Sequence, residues 1–242
     1  MKQKSLFILF GLFFCFYSHA QLNVARLDLS GLVIGKVQGS YEYSFGEKTS
    51  LDVSMYYMPN QGLQYLNLIN FEIGNDYIDN PLEKTVYNGV GITPGIKFYT
   101  SSEKDAPRGF YIEPYLRYAT YGLSSEFRYR NEDLTIANLT IDGNSTSIGG
   151  GVAMGYQFII SDLIAIDWSI FALGGASGNT VVNVQEQDLQ EDLYTMITED
   201  FEDVEKFYGT YTVEQISDNE VKATAKGFLP CIKMGLSIGI AF

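Results

Sequence analysis

The chain has 242 residues, 46% of them hydrophobic, with 24 glycines, 18 tyrosines, 16 phenylalanines and a formal charge of −13. A length of this order suits one domain or one barrel, and so acidic a balance excludes nucleic acid as a partner, because phosphate binding needs the opposite sign. Two cysteines, at positions 15 and 231, exclude a disulfide framework.

The first stretch, "MKQKSLFILFGLFFCFYSHA", carries Lys2 and Lys4, an apolar run from Leu6 to Tyr17 and a small-polar exit before Gln21. That order predicts a secretory signal peptide over 1–20, cleaved after Ala20. The run falls short of the roughly 20 residues of a spanning helix, and the bulky Phe14 argues against a lipoprotein anchor at Cys15. Cleavage would remove His19, the only histidine, and leave Cys231 as the only thiol. With Lys2 and Lys4 gone, the formal charge would fall from −13 to −15.

From residue 21 onward, period-two alternation marks eight strands: 22–29, 35–45, 50–58, 90–99, 109–121, 147–159, 163–173 and 229–242. Most reach the roughly 9–11 residues that a tilted membrane strand needs. The apolar faces are Ala25/Leu27/Leu29, Val37/Tyr41/Tyr43/Phe45, Leu51/Val53/Met55/Tyr57 and Ile92/Ile96/Phe98. They continue with Phe110/Ile112/Leu116/Tyr118, Ile148/Val152/Met154/Tyr156/Phe158, Ile164/Ile166/Trp168/Ile170 and Met234/Leu236/Ile238/Ile240/Phe242. Arg26, Asp28, Lys36, Glu42, Asp52, Lys97, Glu113, Arg117, Asp167 and Lys233 all fall on the opposite face. A Lys or Arg facing lipid at midplane costs on the order of 2–4 kcal/mol, so a membrane barrel must sort its charges this way. A soluble barrel that binds apolar ligands sorts them in reverse. The expectation is an all-β fold: an eight-stranded antiparallel up-and-down transmembrane β-barrel over residues 21–242. Its narrow lumen would be filled by these ten charges as a structural, mutually paired network.

Phe45, Phe98, Phe110, Phe158 and Phe242 share the outward face and lie next to the short turns 46–49, 100–108 and 159–161 or the C-terminus, which predicts an aromatic girdle on one rim. Longer connections at about 59–89, 122–146 and 174–228 are expected as extracellular loops. Pro94 and Pro114 interrupt two strands, predicting a local bulge at each or a boundary displaced by a few residues. Within the last loop, residues 185–209 space Leu189, Leu193, Ile197, Phe201, Val204 and Tyr208 by threes and fours among acidic residues, as an amphipathic helix would. This segment is a candidate lid, partner-binding or cation-binding element, though it lacks the spacing of a calcium-binding EF loop.

The segments "RGFYIEPYLRYATYG" (108–122), "GGGVAMGYQFIISDLIAIDWSIFALGG" (149–175) and "LPCIKMGLSIGIAF" (229–242) resemble the small OmpA-like outer-membrane β-barrels, closest to single-barrel members. The resemblance implies eight strands, both termini in the periplasm of a Gram-negative cell, and a C-terminal aromatic, Phe242, read by the outer-membrane assembly machinery. It does not extend to a peptidoglycan-binding domain. Enzymes of this shape commonly use histidine as acid–base group, and a mature chain without one cannot reproduce such sites. The expected protein is a monomeric, non-enzymatic barrel in the cell outer membrane, without cofactors. Its partners would be membrane lipids, the assembly machinery and an extracellular protein met through the loops. Alternative readings are a narrow, porin-like channel and a lipid-modifying enzyme.

Overall fold

Every stretch of alternation folds as a strand. The protein is seen in a computed structural model that describes residues 22–62, 83–100, 106–131, 133–187, 193–195 and 209–242. In chain order the elements are β1 (Val24–Asp28), α1 (Leu29–Val33), β2 (Val37–Gly46), β3 (Thr49–Gly62) and β4 (Val86–Tyr99). Then follow β5 (Gly109–Arg130), β6 (Ile136–Ile160), β7 (Ile164–Gln187), β8 (Gly209–Ser217) and β9 (Glu220–Ala241). All neighbours are antiparallel, in the order β1-β2-β3-β4-β5-β6-β7-β9-β8. β9 pairs with β7 along one edge. Its other edge takes β1 at Ser237–Ala241 and β8 at Glu220–Gly227, so the up-and-down sheet returns to its first strand. Among the described residues no helix is long and apolar enough to cross a membrane, which says nothing of strands. The predicted signal peptide lies outside the described residues.

The two faces of the sheet invert the usual rule of burial. Leu116, Ile148, Ile232 and Met234 are 66–69% exposed, whereas Glu42 is fully buried and Lys97 is 1% exposed. The exposed face then changes character along the strands. In β6 it reads Phe158, Tyr156, Met154, Val152 and Ile148, then Thr146, Asn144, Asp142 and Asn138. In β5 it passes from Leu116 and Tyr118 to Glu126, Arg128 and Arg130; in β7 from Leu173 to Ser177, Asn179 and Asn183; in β9 from Phe228 to Lys226, Lys222 and Glu220. The four changes fall on one row of the ladder, Tyr118 opposite Ile148, Ile148 opposite Ser177 and Ser177 opposite Phe228. Beyond that row the inner face turns apolar, and Phe127, Leu139, Val184, Leu193 and Val221 form a cluster.

The long connections are therefore corrected. Residues 122–146 hold a tight turn between β5 and β6, because apolar and polar residues go on alternating there in the opposite phase. Residues 174–228 hold the ends of β7 and β9 and a ninth strand, β8, that alternation did not predict. The acidic segment 185–209 lies largely outside the described residues, as do 63–82 of the 59–89 connection. Within the acidic segment Gln185–Gln187 end β7, Gly209 begins β8, and Leu193–Thr195 are helical, with Leu193 buried.

Neither proline makes a bulge. Pro94 pairs with Val53 and Pro114 with Val152, while rungs are missing between β4 and β5 and the register there stays constant. Both residues turn the side without an N–H toward the same ladder, which omits rungs instead of shifting. A bulge lies instead between Ser169 and Ala172, which takes Ile170 out of the outward line and puts Phe171 and Leu173 there. The five phenylalanines do share one rim. Phe98 pairs with Ile112 and Thr49, Phe110 with Tyr156 and Phe158 with Ile166, and the rings of Tyr156 and Phe158 lie 4.4 Å apart.

β6 and β7 approach closely at glycines. A Cβ on Gly151 would stand 2.3 Å from the Leu173 carbonyl oxygen and 2.6 Å from Gly174 Cα, both backbone atoms that cannot swing aside. G151V should therefore cost about 3 kcal/mol or prevent folding. Denaturant titration followed by emission from Trp168, the only tryptophan, measures it; an unchanged midpoint would contradict this packing.

Candidate functional site

The inner face near the phenylalanine rim gathers side chains from β1 to β7. Arg26 (β1) donates from Nη1 to Glu42 Oε2 (β2) at 2.6 Å and to Asp167 Oδ2 (β7) at 2.9 Å, and also to Gln157 (β6); Nη2 donates to Asp52 (β3). Lys97 Nζ (β4) donates to Asp167 Oδ2 at 2.5 Å, Gln157 Oε1 at 3.1 Å and Glu42 Oε2 at 3.2 Å. Tyr99 and Ser50 each donate to Glu42 Oε1 at 2.5 Å, and Tyr111 (β5) donates to Asp167 Oδ1 at 2.8 Å. Adjacent strands lie about 4.8 Å apart, so contacts across two or three strands require strong curvature.

Two cations here meet three carboxylates, and nearly all the oxygens have donors. That completeness is what burial demands, since an unpaired ion in low dielectric costs several kcal/mol. Ala106 and Pro107, just before β5, lie beneath the network as part of its floor. Gln157 Nε2 donates to the Pro107 carbonyl oxygen at 2.8 Å, and Ala106 packs with Tyr99 and Tyr111.

The other predicted charges take different places. Asp28 leaves the network and caps α1, accepting from the Gly31 N–H and the Ser30 hydroxyl, both at 2.6 Å. Lys36, Glu113, Arg117 and Lys233 line a cavity of about 280 Å3 between the network and the row where the outer face turns polar. Arg117 Nη2 donates to the Tyr121 hydroxyl at 2.5 Å and lies with Lys36 over the Tyr56 ring, each cation 5.5 Å from its centroid. Among the described residues neither Lys36, Arg117 nor Lys233 reaches a carboxylate within 4 Å. Gln157, Tyr99, Tyr111 and Ser50 were missed by sorting ionised residues alone. The same alternation finds them, because the outward Tyr156 and Phe158 place Gln157 inside.

Removing Arg26 leaves three buried carboxylates to Lys97. R26A should cost about 3–5 kcal/mol, whereas R108A, which breaks the exposed pair with Asp162, should cost less than about 1 kcal/mol. Equal effects in a denaturant series would contradict the network's role.

Comparison with solved structures finds loose likenesses. CarO of Acinetobacter baumannii is 9% identical with a TM-score of 0.40, over 90% of this chain and 96% of that one. A major outer membrane protein from Thermus thermophilus is 16% identical with a TM-score of 0.32, over 93% and 100%. The outer membrane protease OmpT from Escherichia coli is 7% identical with a TM-score of 0.32, over 91% and 92%. No curated protein matches the chain in sequence. Residues 6–179, well over half of the chain, match a family profile, and the chain belongs to that family, described as "Protein of unknown function (DUF3575)".

Proposed function

We propose that the chain is a monomeric outer-membrane β-barrel in which β1–β7 and β9 close an eight-stranded wall. Its role is structural and interactive, not enzymatic. The carrying observation is the row from Tyr118 through Ile148 and Ser177 to Phe228, where the exposed face passes from apolar to polar in four strands at one level. On this reading the row is the outer membrane boundary and the phenylalanine rim is the inner one. The band between them spans 11 residues of β6, Ile148 to Phe158, against the roughly 9–11 of a tilted membrane strand. The resemblance to small OmpA-like barrels agrees with the strand number.

Beyond the boundary, β5, β6, β7 and β9 continue, with β8, as a sheet of the soluble kind, polar outside and packed within. Twelve further residues of β5, from Tyr118 to Arg130, amount to roughly 35–40 Å of strand. This projection is the surface offered to an extracellular protein partner. Conduction is disfavoured by the Arg26–Lys97 network and the Ala106–Pro107 floor, which fill the lumen at the inner rim.

Two experiments test the reading. The purified mature chain should fold only with detergent or lipid, and in planar bilayers it should show no conductance steps above lipid alone. A folded monomer in plain buffer would overturn the membrane assignment, and steady single-channel steps would favour the porin-like alternative. Deleting Phe242 should lower the amount of folded protein in the outer membrane several-fold while leaving refolding into detergent nearly unchanged. Equal losses in both would remove its part as an assembly signal.

A further inference from the structure

Two cations on the side of the cavity are held there by one ring. Lys36 Nζ, just before β2, and the Arg117 guanidinium, on β5, each lie 5.5 Å from the centroid of Tyr56 on β3. Arg117 Nη2 also donates to the Tyr121 hydroxyl at 2.5 Å and to the Tyr56 hydroxyl at 3.4 Å, which fixes the guanidinium against the tyrosine pair. Tyr56 in turn donates to the Tyr121 hydroxyl at 2.7 Å, and the two rings stack with centroids 6.2 Å apart. A cation–π contact attracts each cation to the ring without cancelling its charge. Two like charges on one ring repel, and low-dielectric walls strengthen that repulsion. Among the described residues no nitrogen of Lys36 or Arg117 is both buried and unsatisfied, so their spare N–H groups face the cavity.

The wall beside them is kept low. Arg117 stands opposite Gly149, which pairs with Ala176, and Tyr115 stands opposite Gly151, which pairs with Gly174. A Cβ on Gly151 or Gly174 would come within 2.8 or 2.7 Å of the Tyr115 hydroxyl, so the tyrosine lies along the wall instead of across the space. Higher on the same inner face, Leu123 shares a row with Gly143 and Val182 and is nevertheless 42% exposed. Water therefore reaches this face above the cavity, on the side away from the phenylalanine rim.

We propose that this cavity binds a small soluble anion, a phosphate or carboxylate on a compact body, which enters from the end away from the phenylalanine rim. Lys36 and Arg117 hold its oxygens as charge-assisted donors, and Tyr56 and Tyr115 flank its body. A volume of about 280 Å3 lies just below the roughly 300–1,000 Å3 of ligand pockets. That is room for one small solute and too little for a lipid. Asp28, which lines the same cavity, is engaged by the Gly31 N–H and the Ser30 hydroxyl at the cap of α1 and so leaves Lys36 to the incoming anion. The inference goes beyond the surface role proposed above. It depends on the lining residues and on the sheet returning to its first strand, and holds whether or not lipid surrounds them.

The test uses the full mature chain in dodecyl maltoside, with phenyl phosphate, benzoate and benzyl alcohol as probes. Cys231, the only cysteine after residue 20, lines the cavity. Its alkylation by iodoacetamide, read from its peptide, reports occupancy, and native mass spectrometry counts bound copies. Either anion should slow the alkylation and saturate at one copy, while benzyl alcohol should leave the rate unchanged. K36Q should weaken the protection roughly tenfold, the loss expected for one hydrogen bond to a charged group, and K36R should restore it. Arg117 is left intact because it also holds Tyr121, and unchanged electrophoretic heat-modifiability would show that both variants fold. Benzyl alcohol protecting as well as the anions would make the cavity a greasy pocket. Protection by neither anion, or protection that survives K36Q in full, would leave it a water-filled space in the lumen. Any of these results overturns the proposal. A chain that folds only in detergent yet shows no anion protection would overturn this inference alone. One that folds in plain buffer and is still protected would overturn only the membrane reading.

Discussion

Arg26 and Lys97 can leave water only if each finds its counter-charges, and the inner face is organised round that requirement. Seven strands each give a polar group to the Arg26–Lys97 network, so the network fixes register and curvature together. A one-residue slip of any strand would carry its polar member to the exposed face. Tyrosine and glycine then complete the interior. Positions that would bear a Cβ on Gly91, Gly155 and Gly174 are occupied by the rings or hydroxyls of Tyr56, Tyr111 and Tyr115. Each large side chain from one strand thus lies over a bare backbone on another. The cavity above the network lies beside the same tyrosines, Tyr56, Tyr111 and Tyr115.

The orientation of the strands was legible because a single alternation encodes both faces. Asp52 and Asp167 are read as interior from the apolar residues beside them, without knowledge of their partners. What escaped reading had a physical cause in each case. The upper halves of β5 and β6 read as loops because the apolar face moves from outside to inside at Tyr118 and Ile148. The period of two survives in "EFRYR" (126–130), but with its phase inverted. Ile170 was misplaced because a bulge inserts residues without any glycine or proline to announce it. α1 is five residues long and rests on one cap, too short for a helical period to show. The prolines misled in the other direction, since two missing donors on a shared ladder cost rungs but no register.

The site was half legible. Sequence placed Lys36, Glu113, Arg117 and Lys233 inside and expected ion pairs throughout, because ten charges of balanced sign suggest mutual neutralisation. Tertiary placement divides them: three carboxylates gather about Arg26 and Lys97, which leaves the upper cations with tyrosines and open space. Balance over the whole set therefore hides an imbalance between two levels, and only distances reveal it.

The shortness of β1 follows from the same local chemistry. Had β1 continued in register, Leu29 would have paired with Leu236 and Ser30 with Gly235. Asp28 prevents this. Its carboxylate turns to the Gly31 N–H and the Ser30 hydroxyl, nucleating α1 where a strand would continue. The helix then packs against Gly235, where an added Cβ would come within 3.1 Å of Ser30 Oγ. On the far side Gln61 Nε2 donates to the Ile34 carbonyl at 3.1 Å and ties the following turn to β3. The first strand is thus held short by its cap and by the tie to β3. The upper level thereby loses a carboxylate to the cap, and Lys36 and Arg117 lie over the Tyr56 ring in consequence of where one aspartate directs its hydrogen bonds.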